Sequence, residues 1–207
     1  MKNISPLAVV DSTVSVGCNV TIEPFCIVTG DTVLGNNVVI KSFCTIANCT
    51  IDDGTVVDSS HLDSAVVGKN CQIGPYARLR KGAVIGDDCR VGNFVEIKNT
   101  TLGCGTKASH LSYLGDATLG ANCNVGCGVI TANYDGASKH HTQIGDNVFL
   151  GCNSNIIAPA KLGDNVFVAC ATTVDGNVPS NALSIGRARQ QIKPNYPNKY
   201  TQRPTKQ

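Results

Sequence analysis

Aliphatic residues recur every six positions along most of the chain, at Val16, Ile22, Val28, Leu34, Ile40 and Ile46, then at Val67, Ile73, Leu79, Ile85, Val91 and Ile97. The period shows briefly at Leu119 and Val125, and a last run takes Ile144, Leu150, Ile156, Leu162, Val168 and Val174. An α-helix repeats at about 3.6 residues, and ordinary hairpins do not hold one register for so long. A strict period of six implies an all-β solenoid, a parallel β-helix whose flat faces each use one hexapeptide. Three faces make a coil of 18 residues, so Val16 is expected to stack under Leu34, and Ile22 under Ile40.

The residue two before each aliphatic points the same way along a strand. It is Cys at Cys26, Cys44, Cys71, Cys89 and Cys123, which explains five of the eleven cysteines as small core fillers. Cys18, Cys127, Cys152 and Cys170 sit two after an aliphatic and are expected to face outward. There is no CxxC pair, and reduced thiols with no disulfide framework are the simpler reading. Trp is absent and aromatics are only 5% of the residues, as a narrow interior requires. No apolar stretch reaches the roughly 18 residues of a membrane helix, and the start lacks a signal-peptide core. A cytoplasmic protein without membrane contact is expected. The net charge of +2 hides an asymmetry, because Arg187, Arg189, Lys193, Lys199, Arg203 and Lys206 form an acid-free tail behind an acidic body. That tail lacks the aromatic interleaving of a nucleic-acid arm, so no nucleic-acid partner is expected.

Breaks in the repeat mark candidate functional regions. Residues 47–66 read as a partly degenerate coil, and residues 98–118 lose the period while holding His110 and Tyr113. Residues 131–143 read as a projecting loop with a turn at Asp135-Gly136, and loops on a rigid scaffold tend to carry function. The expected organisation is a β-helix domain over 1–185 and a short irregular tail over 186–207.

Three segments carry a family resemblance: Gly92-Asn-Phe-Val-Glu-Ile-Lys98, Ser109-His-Leu-Ser-Tyr-Leu-Gly-Asp116, and Asn133-Tyr-Asp-Gly136 with Lys139. In this order they resemble the C-terminal acetyltransferase domain of the bifunctional GlmU family. The resemblance implies a left-handed helix, homotrimers with sites between chains, and acetyl-CoA-dependent N-acetylation of glucosamine 1-phosphate on the route to UDP-N-acetylglucosamine. It makes His110 the general base, Glu96 a carboxylate orienting it, and Arg80, Lys98, Tyr113, Asn124 and Lys139 the sugar-phosphate ligands. Asn133, counted with the catalytic pair, and Tyr134 fall at the acetyl-CoA site, with Arg187 near the coenzyme phosphates. Cys127, Cys152 and Cys170 match coenzyme contacts where relatives often carry Ala or Ser, and Cys152 is a weaker donor than Ser. The family's uridyltransferase domain has no counterpart here, so uridyl transfer is not expected.

The residue types suit that chemistry. Attack on a thioester needs a neutral amine, hence a base of near-neutral pKa, and histidine is the natural choice. A sugar phosphate needs fixed cations, and no metal is required. His140 and His141 are adjacent and would point oppositely on a strand, so they read as solvated loop residues; His61 has no assigned role. Three alternatives stand beside this reading: another amino-sugar or nucleotide-linked acceptor, a non-catalytic β-helix binding module, and a γ-type carbonic anhydrase, for which three zinc histidines are lacking.

Overall fold

The protein was analysed as a computed structural model, which describes residues 2–195. Lys199, Arg203 and Lys206 of the basic tail lie outside the described residues. Every strand ladder between coils is parallel, and short strands of mostly two or three residues are joined by tight corners. The ladders put Val16 beside Leu34 and Ile22 beside Ile40, the stacking that the period of six implies.

Three faces surround a thin core. Its centre is a column of single aliphatics, among them Val28, Ile46, Leu62, Leu79, Ile97 and Leu114, all fully buried. The second inward position takes a small residue. Cys26, Cys44, Cys71, Cys89 and Cys123 are buried there, joined by Cys49, while Thr32, Thr100, Thr106 and Ser112 fill it elsewhere. The hydroxyls are satisfied by carbonyls, as Thr100 Oγ1 donates to Leu114 O at 3.2 Å and Ser112 Oγ to Gly126 O at 3.1 Å. Corners need left-handed backbone, which Asn tolerates better than most residues. Asn19, Asn37, Asn147, Asn165 and Asn181 occupy such corners, and their amides form ladders between coils, with Asn165 Nδ2 donating to Asn181 Oδ1 at 3.0 Å.

The apparent breaks are shortened faces rather than lost coils. Ile46 pairs with Leu62 and Ile51 with Val67, so residues 47–66 form a full coil whose faces have dropped residues. Cys49 escaped the sequence reading for this reason. Likewise Ile97 pairs with Leu114, Leu102 with Leu119 and Ala108 with Val125, so residues 98–118 keep a regular step of 17. After Ile97 and after Leu114 the lost residue also removes the corner break, and single strands, Glu96–Leu102 and Tyr113–Leu119, run round the bend. Strands Ile130–Ala132 and Thr142–Ile144 belong to the coils, so the excursion between them is 133–141, narrower than the loop read from sequence. It is a small hairpin with an antiparallel bridge between Tyr134 and Lys139. The last strand among the described residues is Leu183–Ser184.

Candidate active site

The coil steps align the candidate residues in columns. On one face the outward positions run His61, Arg78, Glu96, Tyr113, each paired with the next. Beside them run Asp63, Arg80, Lys98 and Gly115, because Arg80 and Lys98 follow the paired Leu79 and Ile97, and Lys98 pairs with Gly115. Arg80 Nη1 is 2.8 Å from Glu96 Oε1, and Arg78 Nη1 is 3.9 Å from Glu96 Oε2. His61, Asp63, Arg78, Arg80, Lys81 and Lys98 line a cavity of about 230 Å³. Four cations and one acid line it, and although Glu96 and Asp116 behind them offset part of that charge, the cluster stays net positive and suits an anion. Tyr113 leans over Gly115, where an added Cβ would stand 2.5 Å from the phenol oxygen.

Asp116 ties the cation column to the hairpin. Its carboxylate lies 3.4 Å from Lys98 Nζ, accepts from Asn99 Nδ2 at 2.6 Å, and accepts from Asn133 Nδ2. Burial alone would raise this carboxyl, but the two amide donors and the Lys98 ammonium reverse the effect and hold it below its ordinary value. Lys139 reaches back from the hairpin to Lys98. The Lys139 side chain and Asp116 beside it raise Lys98, whereas the Lys98 cation pushes Lys139 down. The hairpin is clamped by Asp135, which accepts from the backbone N–H of Ser138 and Ala137 and meets His140 Nε2 at 2.7 Å. The Ser138 N–H, His140 and the Ala137 N–H together drive its carboxyl well below the usual range. His141 Nε2 lies 3.0 Å from Thr118 Oγ1, so both loop histidines have protein partners.

His110 lies round the corner from Tyr113, on the adjoining face, one coil above Asn93. Its Nδ1 is 2.8 Å from Asn93 Oδ1. An amide oxygen only accepts, so Nδ1 is the donor here, and in the neutral ring the lone pair is on Nε2. Glu96 is engaged by Arg80 instead, so within one chain the imidazole's orienting partner is Asn93. Gly92 permits the close stacking underneath, since a Cβ there would lie 2.0 Å from Ser109 O. His110, Asn93, Ser109, Arg90 and Pro75 border a second cavity of about 190 Å³, separate from the cationic one.

The same column continues upward from His110. The step of 17 that pairs Ala108 with Val125 and Tyr113 with Ile130 puts Cys127 above His110. The next steps, Val125 to Leu150 and Leu150 to Val168, put Cys152 above Cys127 and Cys170 above Cys152. Arg187 Nη1 caps the column on Cys170 O at 2.7 Å. Asn124 is exposed on the same face as His110, and Tyr134 is exposed on the hairpin, its hydroxyl donating to Gly136 O at 2.6 Å. Asn93, Asp116, Arg78 and His61 were not singled out from sequence. The signal that finds Asn93 is the step of 17, invisible while the period is taken as six.

The Bacterial transferase hexapeptide (six repeats) family model matches residues 141–176, and the GMPPB C-terminal domain model matches residues 10–108. Among solved structures, the fold is similar to UDP-N-acetylglucosamine acyltransferase from Francisella novicida, with a TM-score of 0.58, 23% identity, and coverage of 88% of this chain and 66% of that one. The Campylobacter jejuni enzyme gives a TM-score of 0.53 at 22% identity over 89% and 71% of the two chains. The helix is left-handed, against the usual crossover preference. The fold and the repeats define a hexapeptide-repeat β-helix of the kind seen in those acyltransferases. The Bifunctional protein GlmU of Acinetobacter baylyi is 49% identical over 147 residues, which are 71% of this chain and 31% of that protein. That of Pseudoalteromonas atlantica is 45% identical over 198 residues, 96% of this chain and 39% of the other. The chain spans about a third of the length of these relatives. It belongs to the GlmU family and corresponds to the C-terminal part of those proteins.

Proposed function

We propose that the chain transfers the acetyl group of acetyl-CoA to the amine of glucosamine 1-phosphate, giving N-acetylglucosamine 1-phosphate. The observation that carries this reading is a base and a phosphate cradle built from adjoining coils: His110 with Nδ1 held by Asn93, and the cavity of Arg78, Arg80, Lys81 and Lys98. The sugar phosphate binds the cations. His110 Nε2 removes a proton from the ammonium, the amine attacks the thioester carbonyl, and the coenzyme leaves as a thiolate that takes up the proton shed by the new amide nitrogen. The column from His110 through Cys127, Cys152 and Cys170 to Arg187 suits a long acyl carrier with phosphates at its far end.

The functional unit in this reading is a homotrimer. In one chain the base and the phosphate cradle open on two faces, separated by an exposed corner. That corner bears Phe25 and Phe43, stacked at 5.5 Å, and Tyr76 and Phe94, stacked at 5.5 Å, followed by Leu111. Each is more than half exposed, and all five hold positive φ. An apolar ridge along a straight prism favours threefold packing of copies, which would close one chain's base over another's cations. A solution mass of three times the 21.6 kDa chain is expected.

Incubation of the protein with glucosamine 1-phosphate and acetyl-CoA, with release of coenzyme A followed, tests the reaction. Turnover with that acceptor but not with nucleotide-linked glucosamine supports the assignment. Preference for the nucleotide-linked sugar would move the acceptor while keeping the chemistry. No turnover with either would refute the reading.

A further inference from the structure

Among eleven cysteines, the column above His110 is chemically unlike the rest. Six thiols are buried in the core, where burial pushes Cys44 up to about 12 and keeps it inert. Cys18 and Cys104 are exposed, but their neighbours in adjoining coils are not thiols: Asn37 N donates to Cys18 O, and Cys104 lies between Asp87 and Ala121. Cys152 and Cys170 are both exposed and stack in register on successive coils, with Asn155 paired to Thr173 on the far side of the same turn. Register partners in adjoining strands lie about 4.8 Å apart, inside the roughly 4.4–6.8 Å Cα window of a disulfide. Arg187 donates to the backbone carbonyl of Cys170 and holds the start of the tail against this end of the column. Cys127 lies in register one coil below Cys152, but it is only partly exposed, which makes it the poorer partner for an oxidant from solution.

We propose that Cys152 and Cys170 form an oxidative modification site, at which a hydroperoxide converts the stacked thiols to a disulfide that obstructs the acyl-carrier track. The Cys170 thiolate attacks a peroxide oxygen, the O–O bond breaks, and a sulfenic acid and hydroxide result, the hydroxide taking up the proton that Cys170 shed to give water. The Cys152 thiolate then attacks that sulfur, the S–O bond breaks, and the departing hydroxide leaves as water with the proton of Cys152. Two thiols and one hydrogen peroxide give one disulfide and two waters. The modification requires only the two cysteines. Its effect on acetyl transfer rests on the function proposed above.

The test uses the full chain, reduced and then treated with hydrogen peroxide. Free thiols are blocked, the protein is digested without reductant, and linked peptides are identified by mass. A Cys152–Cys170 link that dithiothreitol removes is expected, and Cys18→Ser gives the same map. Acetyl transfer, measured by mass of the product and referred to each protein's own reduced rate, falls at least tenfold in the wild type and recovers on reduction. Cys170→Ser yields no link and keeps more than half of its own reduced rate after the same dose. Absence of the link at doses that oxidise Cys18 overturns the proposal, as does a Cys127–Cys152 link in its place. A complete link with undiminished transfer removes the proposed effect on the track. Should the reduced protein show no acetyl transfer at all, the function proposed above fails, and the peptide map still decides the disulfide.

Discussion

Gly115→Ala separates a role for Tyr113 in the site from a role in the fold. Gly115 is buried at the end of the cation column, and its φ lies outside the left-handed region, so alanine suits its backbone. The new methyl would stand 2.5 Å from Tyr113 Oη and 2.7 Å from Cε1 and Cζ. Ordinary contact between such atoms is at about 3.5 Å, so the ring must swing away by about 1 Å. The ring is the free end of a side chain, so the fold yields there at a cost of about 1 kcal/mol or less. A displacement of that size in a substrate-positioning group costs up to about a hundredfold in turnover. We expect kcat/KM for acetyl transfer to fall by about one to two orders of magnitude, with Tm within a few degrees of wild type. In a Tyr113→Ala background the same change should be nearly silent, because the clashing partner is gone. Full activity of Gly115→Ala at unchanged Tm would refute the placement of Tyr113 in the site. Equal losses in both backgrounds would mean that the backbone, not the ring, is responsible.

His110→Ala should abolish nearly all turnover with an unchanged circular dichroism spectrum. Asn93→Ala, which removes one hydrogen bond worth about 1 kcal/mol, should cost about fivefold or more in kcat and leave acetyl-CoA affinity unchanged by calorimetry. Asp116 has a folded pKa below its unfolded value, so it adds stability that is complete above about pH 4 and lost as pH falls through the folded value. Urea denaturation from pH 7 to pH 2 should therefore show wild type and Asp116→Asn differing most at neutral pH and converging in acid; a constant gap would remove the carboxylate's role. Phe94→Ser with Leu111→Ser, on the exposed corner, should lower the solution mass by light scattering and make specific activity fall on dilution. Unchanged mass would place the contact between copies elsewhere.

The period of six revealed the three-faced prism, because each hexapeptide must bury one aliphatic and one small residue, and Cys26 or Cys44 can be placed without coordinates. The family motifs located His110, Lys98 and Asn133. What the sequence concealed depends on coil length. Under a step of 18 the position below His110 is Gly92, whereas the structure puts Asn93 there. Under a step of 18 the residue above Tyr113 is Thr131, whereas the structure puts Ile130 there. Partners such as Glu96 with Arg80 and Asp116 with Lys98 are also settled by side-chain reach across coils, which spacing alone leaves open.

The shortened faces also explain why the site sits where it does. A hexapeptide face ends in a corner turn that carries small or amide residues and spends its polar groups on the neighbouring coils, as the Asn ladders do. When the sixth residue is lost after Ile97 and after Leu114, the strand continues round the bend with Asn99 and Asp116 at positive φ. The bend draws Asp116 into a buried position, close enough to bind Lys98 from the coil below and Asn133 from the coil above. An exposed corner carboxylate would be screened by water and would hold neither. The ammonium of Lys98 is thereby fixed beside the cationic cavity, and the root of the hairpin is fixed beside Lys98. The departure after Leu114 is therefore the position at which a uniform scaffold acquires a preorganised charge.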